Sequence, residues 1–130
     1  MALLFDTSVI IGLERGNKDV IKKISELSKT FSGRPQVSFI TYYEFMFGIK
    51  NRSPKNQADA VEFINNFYCL PATKKTAEIL AELRNKYLAK GLEINLADFI
   101  IASHAKENSM VLVTKDRAFE KIEEIDKIII

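Results

Sequence analysis

The chain is poor in the residues that build disulfide frameworks and zinc sites. Its 130 residues include one cysteine, Cys69, and one histidine, His104. A lone cysteine excludes an intrachain disulfide and is compatible with a reducing cytoplasm. One histidine and one cysteine also cannot supply a zinc ligand set of the usual kind. We therefore expect a cytoplasmic protein without such a zinc centre, and we predict that His104 lies at the surface.

Long hydrophobic runs and a strong excess of either charge are also missing. No apolar segment approaches the ~20 residues that a membrane helix needs, so we expect no membrane partner. The net charge of +2 neither supports nor excludes a nucleic-acid partner. A hydrophobic fraction of 47% in 130 residues is ordinary for a folded protein, and we expect one domain spanning residues 1–130.

Predicted strands alternate with predicted helices along the chain. Apolar segments bounded by turn or capping residues predict strands at residues 2–5, 36–40, 68–71, 110–114 and 127–130. Residues with helical spacing of apolar side chains fill the segments between most of them. This alternation predicts an α/β fold with a mostly parallel sheet that is covered on both faces.

Four acidic residues stand where a predicted strand passes into a helix or where a helix begins: Asp6, Glu44, Asp98 and Asp116. A parallel sheet brings such junctions together at the carboxyl ends of its strands. Two carboxylates about 5 Å apart, at an effective dielectric constant near ~20, repel each other by roughly 3 kcal/mol. Such a cluster needs either protons or a divalent cation. Because oxygen ligands suit Mg²⁺ or Mn²⁺, the second case points to phosphate chemistry.

Each acid also has a structural explanation. Glu44 and Asp98 stand three residues after candidate N-caps, in the capping-box patterns Thr41-x-x-Glu44 and Asn95-x-x-Asp98. The two other acids fit an N-cap and a turn at the end of a strand. A carboxylate has two oxygens, so one can accept a hydrogen bond from a helix-terminal amide while the other faces a metal. Capping and metal binding are therefore compatible.

Four segments in order along the chain resemble the PIN-domain family, and specifically its VapC-type ribonuclease toxins. The resemblance covers nearly the whole chain. It is carried by Asp6-Thr7-Ser8 after the first strand, Thr41-x-x-Glu44 followed by Gly48, Asp98-x-x-Ile101-Ala102-x-x-Ala105, and Leu112-x-Thr114-x-Asp116-x-x-Phe119.

This resemblance implies a three-layer α/β/α fold and a metal-dependent endoribonuclease, the toxin of a toxin–antitoxin pair. It further implies a homodimer that a cognate antitoxin silences. By position, it assigns the catalytic Mg²⁺ or Mn²⁺ site to Asp6, Glu44, Asp98 and Asp116, with Thr114 and Ser8 in support. Some family members have a further acid shortly after the last aspartate. Here Arg117 follows it, which argues against a tightly held second metal.

Basic and aromatic residues supply two further hypotheses. Arg15, Lys115 and Arg117 are candidates for holding the RNA backbone near the predicted cleft. The third predicted helix, residues 41–49, has apolar groups on almost every side, which indicates either core packing or an interface. We predict a homodimer that uses this helix and the next one.

Two other functions remain open. A magnesium-dependent phosphoryl-transfer domain with an aspartyl intermediate would require a second aspartate two residues after Asp6, where Ser8 stands. The chain also lacks a glycine-rich Walker loop. The other alternative is a non-catalytic PIN-like binding module in which the acids only cap helices.

Overall fold

Strands and helices alternate along the whole chain in the computed structural model, which describes residues 1–130. None of the helices combines the length and the apolar character that crossing a bilayer demands. In chain order the elements are β1 (Leu3–Phe5), α1 (Thr7–Glu14), α2 (Lys18–Leu27), β2 (Gln36–Ser38), α3 (Phe39–Gly48), α4 (Pro54–Ile64), β3 (Tyr68–Leu70), α5 (Lys74–Ala89), α6 (Leu96–Glu107), β4 (Val111–Thr114), a 3₁₀ helix (Arg117–Lys121) and β5 (Asp126–Ile129).

The five strands form one sheet in the order β3-β2-β1-β4-β5, and every neighbouring pair is parallel. The central pair is β1 and β4, in which Leu4 lies opposite Leu112 and Phe5 lies opposite Val113. These strands are neighbours in space although they are far apart in sequence. The residues that follow them therefore emerge side by side at one edge of the sheet.

Helices cover both faces of the sheet because successive strand side chains point to opposite sides. Leu4 and Leu112 belong to a core cluster with residues of α5, α6 and the 3₁₀ helix. Phe5 and Val113 belong to a second cluster, which packs against α1 to α4. The predicted three-layer α/β/α architecture is confirmed, and the sheet is wholly parallel.

The start of α3 differs from the prediction. Strand β2 ends at Ser38, whose hydroxyl oxygen accepts a hydrogen bond from the Ile40 amide at 3.2 Å and caps the helix. Phe39 and Ile40 are therefore helical, and Thr41 lies inside α3 instead of preceding it. The expected capping box of Thr41 and Glu44 does not form, because the N-cap is three residues earlier and the Glu44 carboxylate has another partner.

The predicted surface position of His104 is wrong. Its side chain is 0% exposed, and neither ring nitrogen has a hydrogen-bond partner. The ring lies 6.0 Å from that of Phe39, measured between centroids. Burial lowers the pKa of the imidazole, which favours the neutral ring. Asp98 and His104 lie on different sides of α6, but other parts of the protein also cover the side that carries His104.

Gly12 sets the close approach of α1 and α2. A Cβ atom placed on Gly12 would lie 2.9 Å from Val20 Cγ2, whereas one placed on Gly48 would meet nothing within 4 Å. Alanine favours a helix over glycine by ~1 kcal/mol at either position. At Gly12, however, the overpacking should cost about 1–3 kcal/mol.

We therefore expect Gly12→Ala to lower the free energy of unfolding by about 1 kcal/mol and Gly48→Ala to leave it equal or raise it. Urea denaturation of both variants would measure this. A Gly12→Ala protein as stable as Gly48→Ala would contradict the close packing of the two helices.

Candidate functional site

Asp6 is the most enclosed acid at the carboxyl edge of the sheet. It follows β1 directly, is 4% exposed and caps α1. Its Oδ1 accepts hydrogen bonds from the Val9 amide at 3.1 Å and the Ser8 hydroxyl at 2.6 Å, and its Oδ2 accepts one from the Thr114 hydroxyl. Burial raises the pKa of Asp6, and these hydrogen bonds oppose the rise.

Hydroxyl groups join the ends of β1 and β4. Thr114 Oγ1 donates to Asp6 and accepts from the Asp116 amide at 2.9 Å. Ser8 Oγ also donates to Asp6, and it accepts from the Lys115 amide at 3.1 Å. Thr114 and Ser8 thus both donate hydrogen bonds to Asp6, and their role in supporting a metal site stays a prediction. Together they hold Asp6 and the segment after β4 in a fixed relation.

Asp116 and Glu44 enter the same region from two other segments. Asp116 caps the 3₁₀ helix, where its Oδ1 accepts a hydrogen bond from the Ala118 amide at 2.9 Å. Glu44 projects from α3, and its Oε1 accepts one from the Thr7 hydroxyl at 2.7 Å. Each of these two carboxylates is therefore held through one oxygen. The other oxygen accepts no hydrogen bond from the protein.

Asp98 lies at the electrostatic centre of the four acids. It stands in the first turn of α6, where its amide donates to Asn95 Oδ1 at 2.8 Å. Burial raises the pKa of its carboxyl to about 6, with further contributions from the negative charges of Asp116, Asp6 and Glu44. The structure thus brings the four predicted acids into one mutually repelling group.

The group is not a preformed metal cage. No three histidine, cysteine, aspartate or glutamate side chains are arranged around a common point as metal ligands. The four carboxylates provide oxygen atoms only, the donor type that Mg²⁺ and Mn²⁺ prefer. Some of these side chains would have to turn toward a common point in order to share a cation.

The three predicted basic residues do not lie together. Arg15 lines a cleft that also contains Glu44. Lys115 faces a different hollow, with Asp19 and Lys23. Arg117 is paired with Glu120 of its own 3₁₀ helix at 2.7 Å. Only Arg15 shares a cleft with one of the four acids.

Sequence reasoning missed two residues that contact or adjoin the site. Thr7 donates to Glu44, although the Asp6-Thr7-Ser8 segment had already singled out its neighbours. Arg52 lies in the loop after α3 and lines the same cleft as Glu44 and Arg15. A hydroxyl beside a predicted site acid was a usable signal for Thr7, whereas nothing local distinguished Arg52 from other surface cations.

Comparison with known proteins identifies the family of this chain. The model of the PIN domain family matches residues 3–125, which is nearly the whole chain. The chain belongs to the PIN domain family. It is 26% identical over 132 residues to the ribonuclease VapC of Rickettsia bellii, covering 97% of this chain and 94% of that protein.

Solved structures give the same fold for this PIN domain. VapBC2 from Rickettsia felis, bound to a DNA fragment from its promoter, superposes with a TM-score of 0.87 at 22% identity, over 100% of this chain and 99% of that one. DNA-bound VapBC from Salmonella typhimurium superposes with a TM-score of 0.83 at 26% identity, over 98% and 97%. The family resemblance seen in the sequence and the expected fold are both confirmed.

The raised pKa of Asp98 predicts how pH changes the stability of the metal-free PIN domain. The pKa of the Asp98 carboxyl is about 6 in the folded protein, against an ordinary value of 3.8. Between pH 3.8 and pH 6 the folded state binds more protons at this group than the unfolded state does. Asp98 therefore lowers the free energy of unfolding as pH rises through this range. Removing the charge should therefore stabilise the protein above pH 6 and not below pH 4.

We expect Asp98→Asn to raise the free energy of unfolding by about 1 kcal/mol at pH 7.5, after discounting for the partial exposure of Asp98. Thermal denaturation in chelator at pH 7.5 and pH 4 would measure this. Asp19→Asn is the matched control, because Asp19 also follows an asparagine N-cap but is exposed. Equal effects of the two substitutions at pH 7.5 would contradict the predicted repulsion.

Proposed function

We propose that this PIN domain is a metal-dependent endoribonuclease that hydrolyses RNA phosphodiester bonds as the toxin of a toxin–antitoxin pair. The observation that carries the proposal is the convergence of four acids from four segments on one edge of the sheet, where burial and, in addition, the charges of the three other acids raise the pKa of Asp98. Mutual repulsion of this kind is a stability cost that a cation would remove. The likeness to a ribonuclease VapC supports RNA as the substrate.

We assign the metal and catalytic roles to Asp6, Glu44, Asp98 and Asp116, with Mg²⁺ or Mn²⁺ as the cofactor. When bound, such an ion polarises a phosphate oxygen and lowers the pKa of a water molecule, so that hydroxide is available at neutral pH. The donor chemistry of the four acids fits the ion, since every ligand would be a carboxylate oxygen.

Neighbouring hydroxyl groups hold two of the acids in the metal-free protein. Thr114 and Ser8 hold both oxygens of Asp6, and Thr7 holds one oxygen of Glu44. The other carboxylate oxygens would have to turn toward a shared cation. Arg15 stands beside Glu44 in an adjoining cleft and is placed to attract the RNA backbone.

The similar proteins of known structure indicate a protein partner for this chain. The Salmonella relative is a VapBC assembly bound to DNA. We accordingly infer that this chain pairs with a cognate antitoxin protein and acts in the cytoplasm. The absence of the partner should release the ribonuclease, so we expect expression of this chain alone to arrest growth.

Removing one acid should stop the reaction while the fold survives. We expect Asp98→Asn and Asp6→Asn to reduce Mg²⁺-dependent RNA cleavage at least ~100-fold, because each loses part of a charge stabilisation worth several kcal/mol. The assay is fragment analysis of total RNA incubated with each purified variant, with circular dichroism to verify folding. Asp19→Asn, on the exposed face of α2, should cleave like the wild type.

Calorimetric titration with Mn²⁺ completes this test. Binding to the wild type that weakens in Asp98→Asn supports a catalytic metal site. RNA cleavage that persists undiminished in both acid variants would refute the assignment. A wild type that neither binds Mn²⁺ at millimolar concentration nor cuts RNA would favour the alternative of a non-catalytic binding module.

We also propose that the chain forms a homodimer through α3. Tyr43 and Phe47 are 57% and 69% exposed, and their stacked rings have centroids 6.1 Å apart. Exposed aromatic side chains of this size favour association, since each can bury ~150–250 Å². Other apolar side chains, Leu88 of α5 and Leu96 of α6, line a separate exposed groove.

Light scattering at micromolar concentration should give a dimer mass for the wild type. The double variant Tyr43→Ser/Phe47→Ser should be monomeric, and Leu88→Ser/Leu96→Ser should remain dimeric. If the Leu88→Ser/Leu96→Ser variant is monomeric and the Tyr43→Ser/Phe47→Ser variant is dimeric, the interface lies at the groove between α5 and α6. A monomeric wild type would contradict the dimer proposal.

A further inference from the structure

A cleft runs from the acidic site between the ends of α1 and α3. Its walls include Ile11, Glu14 and Arg15 on one side and Glu44, Gly48 and Arg52 on the other. Glu44 belongs both to this α1–α3 cleft and to the group of four acids. The cleft therefore adjoins the acidic group through Glu44, and two arginines line it.

Arg52 and Glu14 form an ion pair within the α1–α3 cleft. Arg52 Nη2 lies 2.7 Å from Glu14 Oε1, and the two side chains are 32% and 18% exposed. The pair also lines a second hollow, beside Asn56, Asp59 and Phe63 of α4. It is consequently located where the cleft from the acidic site meets the hollow along α4.

The backbone that carries Arg52 is held by hydrogen bonds. The Arg52 amide donates to the Ile49 carbonyl at 3.0 Å. The side-chain amide of Gln57 donates to the carbonyls of Arg52 and Lys50, at 2.8 and 3.0 Å. The guanidinium group is therefore presented from a fixed turn, and it can change partner by side-chain rotation alone.

Guanidinium chemistry indicates which ligand would compete with Glu14. The planar fork of arginine matches both a carboxylate and a phosphate, and it binds either through charge-assisted hydrogen bonds. Arg15, on the opposite wall, forms no ion pair in the structure. The cleft thus offers one unpaired cation, Arg15, and one cation, Arg52, whose present carboxylate partner is an anion that a phosphate could replace.

We propose that Arg52 is a positioning residue for RNA, which it holds by exchanging the Glu14 carboxylate for a backbone phosphate next to the scissile one. This inference rests on the proposed ribonuclease function and adds the route of the strand away from the acids. Glu14 keeps Arg52 in place in the free protein and competes with RNA for it. Removing the acid and removing the base of this ion pair should therefore have opposite effects on RNA binding.

The experiment measures fluorescence anisotropy of a fluorescein-labelled, random-sequence single-stranded RNA oligonucleotide, with Ca²⁺ in place of Mg²⁺, at several salt concentrations. We expect Arg52→Gln to weaken binding about fivefold to tenfold and to reduce the salt dependence by about one phosphate contact. Glu14→Gln should bind as tightly as the wild type or up to about threefold more tightly. Lys22→Gln, which removes an exposed charge from α2, is the matched control and should change little.

Cleavage kinetics and stability separate this role from a structural one. Arg52→Gln should raise KM for RNA and leave kcat within about twofold, as expected for a contact that is equally strong in the ground state and the transition state. Urea denaturation should show similar losses of stability for Arg52→Gln and Glu14→Gln, since both break the same pair. If both variants bind RNA equally well, or weaken binding equally, the pair is structural and the inference is wrong.

Failure of the inference is distinguishable from failure of the proposed function. A wild type that cuts RNA with a KM that Arg52→Gln does not change overturns only the role of Arg52. A wild type that binds RNA through Arg52 without cutting it overturns the ribonuclease and leaves the binding route in place. A wild type that neither binds nor cuts RNA overturns both.

Discussion

The parallel pairing of β1 with β4 is the contact on which the candidate site depends. It places Asp6 beside Thr114, 108 residues later in the chain, and the Thr114 hydroxyl bridges Asp6 and the Asp116 amide. Leu4 and Leu112 anchor this pairing in one core layer, and Phe5 and Val113 anchor it in the other. Packing on both faces of the sheet therefore sets the separation of two acids that no local interaction could bring together.

The four acids are subject to two opposing effects, destabilisation of their charged forms and stabilisation by helix ends. Burial and, in addition, the neighbouring like charges destabilise the ionised Asp98 carboxyl and raise its pKa. Helix ends offset part of this cost, because Asp6 and Asp116 cap helices and Asp98 lies in a first turn, where amide groups favour negative charge. Asp6 and Asp116 thus act both as helix caps and as members of the acidic group, because each follows a strand and precedes a helix.

Sequence reasoning succeeded where a signal is local. The alternation of strands and helices, the cap Asn95, and the positions of Asp6 and Asp116 all depend on residues a few positions apart. It failed at Glu44, where Ser38 competes with Thr41 for the N-cap and Thr7 supplies the partner from another helix. It failed at His104 because a helix covered on several sides has no exposed face for the polar side chain.

The order of the residues by itself determined the α/β class and the places of Asp6 and Asp116 after buried strands, since short-range periodicity and capping chemistry are encoded by neighbouring residues. The family was recognisable from the sequence through the resemblance of four ordered motifs, not through periodicity. Only the tertiary structure decided that Thr7 holds Glu44, that Arg117 is tied to Glu120, and that Arg52 and Glu14 share a cleft with Glu44. Such contacts depend on the relative placement of whole elements, which core packing sets and no local pattern records.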